Sequence, residues 1–146
     1  MQLATSRFGT LDIESHDILL FPTGIVAFED CRNWVLLGDA DSPHVAWLQS
    51  ASRPEVALAV VSPRKFVPDY QVHVTKSQIS TLQLRAIHEA YVLTIVGKNE
   101  RGLTLNLKAP IIINLDRRLG RQVVTSNEQS LQYELVGAGP GLRKIA

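Results

Sequence analysis

Residues 45–63 read "VAWLQSASRPEVALAVVSP". VAWLQS (45–50) and VALAVVS (56–62) are two short apolar runs of strand length, and SRPE (52–55) between them is a turn built on Pro54. A strand, a proline turn and a second strand make an antiparallel unit. VALAVVS is the longest apolar run of the chain and falls far short of the ~20 residues needed to span a bilayer as a helix.

The same pattern extends outward in both directions. Leu11 and Ile13 alternate with Asp12 and Glu14, and DILLF (17–21), WVLLG (34–38), YQVHV (70–74), AYVLTIVG (90–97), LTLNL (103–107), IIINL (111–115) and RQVVT (121–125) follow. Each run is short, rich in Val, Ile, Leu, Thr or aromatic residues, and bounded by Pro, Gly, Asp, Asn or Ser. RFGT (7–10), KNERG (98–102) and DRRLG (116–120) read as hairpin turns, the last with Gly120 at the left-handed position. About ten short strands of this kind predict a mostly β chain, a small antiparallel barrel. One stretch departs from it: TKSQISTLQLRAIHEA (75–90) places Ile79, Leu82 and Ala86 at helical spacing. It predicts one short helix near 78–84, capped by Thr75 or Ser77. The expected division is a barrel domain over 1–136 and a mobile, Gly-rich tail over 137–146.

The bulk numbers exclude several classes. The chain has 146 residues, 45% hydrophobic and 20% charged, with a formal net charge of +1. That composition argues for a folded core and against a general electrostatic pull toward nucleic acid or anionic membrane. A single cysteine, Cys31, allows no intrachain disulfide and suits a reducing compartment. With no signal-like N-terminus, a soluble cytoplasmic protein is expected.

Candidate chemistry is sparse. His16, His44, His73 and His88 stand at no metal-ligand spacing, and His73, between apolar neighbours, is expected to face solvent. Cys31 beside Arg32 reads as a small buried hydrophobe rather than a nucleophile. GAGPG (137–141) lacks the Lys-Ser/Thr of a phosphate loop. No catalytic residue, metal or cofactor is expected. RRLGR (117–121) sets Arg117, Arg118 and Arg121 on one hairpin, which could grip phosphates or a partner's carboxylates, or could be a solvated tip. A nucleic-acid-binding barrel using this hairpin is the alternative reading of function. FPTGIVAFED (21–30) and SPRKFVPDY (62–70) cluster Pro with aromatic residues, either to staple barrel ends or to offer rigid contacts to a partner. In the first, Phe21 and Phe28 are expected to bury their rings, and Glu29 and Asp30 to cap a helical turn through EDCRNW (29–34).

These stretches carry a resemblance. LLFPTGIVAFEDCRNWVLL (19–37), WLQSASRPEVALAVVSPRKFVPDY (47–70) and LTLNLKAPIIINLDRRLGRQVV (103–124) are similar, in unbroken order, to segments of the FliW-type flagellar assembly factors. Ala27 stands where that family has glycine, so the turn need not require positive φ here. The chain is also less acidic than the family, and its ending after Val124 differs. The resemblance implies a small β-barrel without enzymatic activity, monomeric when free. Its implied partners are flagellin and the carbon storage regulator, a dimeric RNA-binding repressor of flagellin translation, with no direct contact to nucleic acid or membrane. Carried onto matching positions, it makes Phe66, Pro68, Asp69 and Tyr70 candidates for the regulator-facing surface. Asn106, Pro110, Ile111 and Asn114 become candidates for the flagellin-facing one. Asn106 and Asn114 could instead satisfy buried backbone groups.

Overall fold

In the computed structural model, which describes residues 1–135, the 45–63 stretch is the expected hairpin. β5 (Ala46–Ser50) and β6 (Ala57–Val61) pair antiparallel, from Ala46 opposite Val60 to Gln49 opposite Ala57. Pro54 sits in the turn closed by Val56 N–H donating to the Arg53 carbonyl at 3.0 Å. Gln49 is fully buried, and its amide nitrogen donates to the carbonyls of Ser50, Pro54 and Val56, tying the turn to the strand that enters it.

Around this hairpin run β3 (Ile18–Leu20), β4 (Asn33–Gly38), β7 (Ala90–Asn99), β9 (Ile111–Asn114) and β10 (Leu119–Gln122). The hydrogen-bonded order β7-β6-β5-β4-β3-β10-β9 returns to β7, so seven strands close a barrel. All the contacts are antiparallel except β3 with β10, which meet in parallel at Leu20 and Leu119. Closure removes the free edges that an open sheet would expose. β8 (Gly102–Leu105) pairs with Val96–Asn99 of β7, and β9 with Ala90–Leu93. Asn106 N–H still donates to the Ile95 carbonyl of β7, and LKAP (107–110) then leaves the ladder. β11 (Tyr133–Glu134) extends β8. β1 (Gln2–Thr5) and β2 (Gly9–Asp12) form a separate hairpin whose Leu3, Leu11 and Ile13 pack on Val35 and Leu37.

The interior holds Leu19, Phe21, Ile25, Cys31, Trp34, Leu48, Val56, Val60, Leu93, Ile111 and Ile113. β9 shows why IIIN is apolar on both sides. Ile111 and Ile113 point into the barrel, while Ile112 packs outside it against Leu82 and Val123. A strand covered on both faces reads as a continuous apolar run.

The cover is the 72–84 excursion. Thr75 caps α1 (Lys76–Ile79): its hydroxyl accepts from Gln78 N–H, and the Gln78 side chain returns the bond to Thr75 N–H. A 3-10 turn, Ser80–Leu82, follows and ends at Gln83 in the left-handed region. The helical segment therefore spans 76–82 rather than 78–84, because the capping box fixes its start. The expected strand at 70–74 is extended but joins no ladder. Its bonds run to side chains as well as backbone: His73 N–H donates to Thr125 Oγ1 at 2.7 Å, and Asn127 Nδ2 to the Gln71 carbonyl at 3.1 Å. The expected alternation survives, with His73 exposed and Val72 and Val74 half-buried.

FPTGIVAFED is a chain of three turns, with Gly24 N–H donating to Phe21, Phe28 N–H to Ile25, and Cys31 N–H to Phe28. Phe21 is fully buried and Phe28 half-buried, both edge-on to Trp34 with centroids 6.3 and 6.5 Å away. The expected helical turn at 29–34 does not form. Glu29 Oε2 accepts instead from Ala27 N–H at 3.3 Å, and β4 begins at Asn33. Two backbone expectations are also corrected. Gly120 lies in β10, and the left-handed residue of its hairpin is Arg118, at φ 56°. Ala27 keeps a left-handed φ of 76°, at the turn position where glycine is normal. Ala27→Gly is therefore expected to stabilise the fold by about 0.5–1 kcal/mol. A higher urea midpoint at unchanged m-value would register the gain.

The expected tail over 137–146 lies outside the described residues.

Candidate partner-docking groove

The site grows from the excursion that covers Ile112. Val72, Val74, Ile79, Leu82 and Leu84 pack their apolar sides down onto Ala90, Val92 and Ile112. The covering segment does not fill the space up to the neighbouring 62–70 loop. The gap is a groove of about 450 Å³, within the usual ~300–1,000 Å³ of binding clefts. Val72, Val74, Ile79, Leu84, Val92 and Ile112 make its apolar lining. Pro63, Arg64 and Tyr70 line it from the loop, and Ile87, His88 and Tyr91 from the return to β7. Ile87, 75% exposed, and Tyr91, 38% exposed, put apolar surface at its rim beside exposed Arg64 and His88.

The loop wall is fixed from inside. A 3-10 turn, Pro63–Lys65, takes its bend from Pro63 at the first helical position. Tyr70 is only 2% exposed and donates its hydroxyl to the Leu107 carbonyl at 2.6 Å. Burial pushes its phenol up to about 12 from the ordinary 10.0. The folded state thus holds the phenolic proton more tightly than the unfolded chain. The stabilisation is complete below pH 10 and is lost as pH rises through about 12, a loss of about 2–3 kcal/mol at most. Arg64 Nε donates to the Tyr70 carbonyl at 3.0 Å, which sets the guanidinium at the groove.

The residues singled out in the sequence divide by exposure. Pro68, Asp69 and Arg117 are exposed, and Phe66 is half-buried against Tyr70 and its neighbours. Tyr70 is a buried anchor rather than a surface ring. Pro110, Ile111 and Asn114 are buried too, because β9 is covered on both faces, so they form no exposed surface. Asn114 donates to the carbonyls of Leu82 and Gln83 and accepts from Arg117 N–H, holding the end of the covering segment. Asn106 Oδ1 accepts from Ala109 N–H, closing the 106–109 loop. Both asparagines therefore satisfy backbone groups. Of the arginines at 117–121, Arg118 donates to the Asp17 carbonyl and Arg121 to the Gln78 carbonyl at 2.7 Å. Both clamp neighbouring segments, and the Arg118 Nε is buried without a partner. Cys31 is fully buried.

Sequence reasoning missed Ile87, His88, Tyr91, Val74 and Leu84 as members of one surface. The available signal was Ile87 itself, an apolar residue among the polar neighbours of RAIHE (85–89).

The closed barrel thus carries an apolar groove on its outer wall, and among the described residues no three metal-binding side chains converge. The family model for the FliW protein matches residues 2–135, and the chain belongs to that family of flagellar assembly factors. It is 38% identical to the flagellar assembly factor FliW of Bdellovibrio bacteriovorus, over 85% of this chain and 72% of that one. It is 41% identical to the FliW of Moorella thermoacetica, over 85% and 80%. A crystal structure of the flagellar assembly factor FliW superposes with a TM-score of 0.83 at 28% identity, covering 92% of this chain and 95% of that one. No helix among the described residues is long and apolar enough to cross a membrane.

Proposed function

We propose that this chain is a non-enzymatic binding protein that takes flagellin and the carbon storage regulator as alternative protein partners. When flagellin is abundant it occupies the factor. When flagellin is exported, the factor binds the regulator and disfavours its RNA-bound state. A coupling of about 1–3 kcal/mol would weaken RNA binding about 5- to 150-fold. Membership of an assembly-factor family is the observation that carries this reading, because assembly requires contact with other proteins.

The groove is the proposed contact surface. Exposed Ile87 and Tyr91 put apolar surface at its rim, and Pro68 and Asp69 extend the loop beside it. Phe66 and Tyr70 support that loop from beneath, and exposed Arg117 lies in the hairpin beyond Asn114. The nucleic-acid alternative loses ground because two of its three arginines are engaged with backbone carbonyls.

Copurification of the tagged chain with flagellin and with the regulator tests the reading, and failure to retain either at micromolar concentration defeats it. Ile87→Asp is expected to weaken partner binding at least about tenfold. It should change stability by no more than about 0.5 kcal/mol, as for other exposed positions. Calorimetric titration paired with thermal melts reads both quantities.

A further inference from the structure

The basic side chains lining the groove are Arg64 and His88, and no carboxylate lines it. Among the described residues Arg64 has no ion-pair partner. Its Nε is spent on the Tyr70 carbonyl, which tethers the planar fork in the groove lining and leaves its outer nitrogens without a carboxylate partner. A pre-oriented guanidinium beside an apolar floor matches a carboxylate attached to apolar groups, because Arg offers paired donors in the geometry of a carboxylate. Lys65, exposed on the same turn, adds positive charge.

The rim decides between a small ligand and a larger one. Ile87, at 75% exposure, stands mostly outside the cavity. A small molecule sunk in the groove would leave it in water, whereas a polypeptide lying across the opening would cover it and Tyr91 together.

We infer that the groove takes an apolar segment of a protein partner bearing a carboxylate next to its apolar residues, with Arg64 as the anchoring cation. The inference rests on the groove being the partner-docking surface and adds the chemistry of what enters it. Apolar side chains of the segment sit on Val72, Val74, Leu84, Val92 and Ile112. Its carboxylate meets the Arg64 guanidinium, with His88 as a further donor across the opening.

Two amidated, Leu-rich amphipathic peptides test this, identical except that one carries Glu beside its apolar stripe and the other Gln. Each is titrated into the full chain and followed by backbone amide shifts. The Glu peptide is expected to perturb residues 63–65, 72–74 and 84–92, and to bind about five- to tenfold tighter than the Gln peptide. Arg64→Gln should abolish that preference, and Arg64→Lys should restore part of it. Ile87→Asp, on the exposed rim, should weaken both peptides. Equal affinities for the two peptides, shifts located elsewhere, or binding unaffected by either substitution would overturn the inference. So would concentration-dependent shifts of the same amides in the protein alone, which would make a second copy of the chain the occupant. If flagellin copurifies while neither peptide binds, the groove chemistry is wrong and the partner reading stands. If flagellin is also lost, the partner reading falls as well.

Discussion

Phe21→Ala is expected to destabilise the protein by about 3–5 kcal/mol, the range for truncating a fully buried aromatic ring. Phe21 is fully buried, meets Trp34 edge-on, and lies in the core with Leu19, Ile25 and Cys31. Its ring also occupies the space where a side chain at position 120 would stand. A Cβ built on Gly120 would come within 2.3 Å of Phe21 Cζ. Gly120→Ala is therefore expected to cost about 1–3 kcal/mol by overpacking. The two losses should not add. With the ring removed the new methyl has room, so the double variant is more stable than the sum of the single losses requires. Urea denaturation of the four proteins measures the coupling, and strict additivity would show that ring and glycine do not share this space.

Tyr70→Ala is the second large effect, of the same order as Phe21→Ala. It removes a buried ring and leaves the Leu107 carbonyl without its 2.6 Å partner. Tyr70→Phe isolates the second component and is expected to cost about 1–3 kcal/mol. Wild-type stability should fall as pH rises from 10 toward 12, and Tyr70→Phe should lack that part of the fall. Thermal melts across this range check it. A Tyr70→Ala variant that melts like wild type would return Tyr70 to the surface.

Tyr70 shows where the sequence was legible and where it was not. The barrel strands could be read because period-two alternation and Pro or Gly punctuation are local. The four-residue β1, with a single buried residue in Leu3, and the two-residue β11 carry too little of that signal. SPRKFVPDY was visible as a proline-rich turn with aromatics, but which of its side chains turn inward depends on the distant Leu107 carbonyl. IIIN was read as a strand with Ile111 and Asn114 facing a partner, because nothing local says that the capped segment at 75–82 covers its second face. Ala27 concealed a left-handed turn because alanine carries no mark of that conformation. Gly120 looked like a turn glycine, yet its cause is the Phe21 ring, about a hundred residues away in sequence. The groove was the least legible feature. It is assembled from 62–72, 74–92 and Ile112, and no single stretch holds enough of it to be recognised.

The most direct test of partner exchange is to titrate the RNA-bound carbon storage regulator with this protein, with and without flagellin. RNA is expected to be released as the protein is added, and flagellin to suppress the release. RNA that stays bound at saturating protein, or release that flagellin does not affect, would contradict partner exchange.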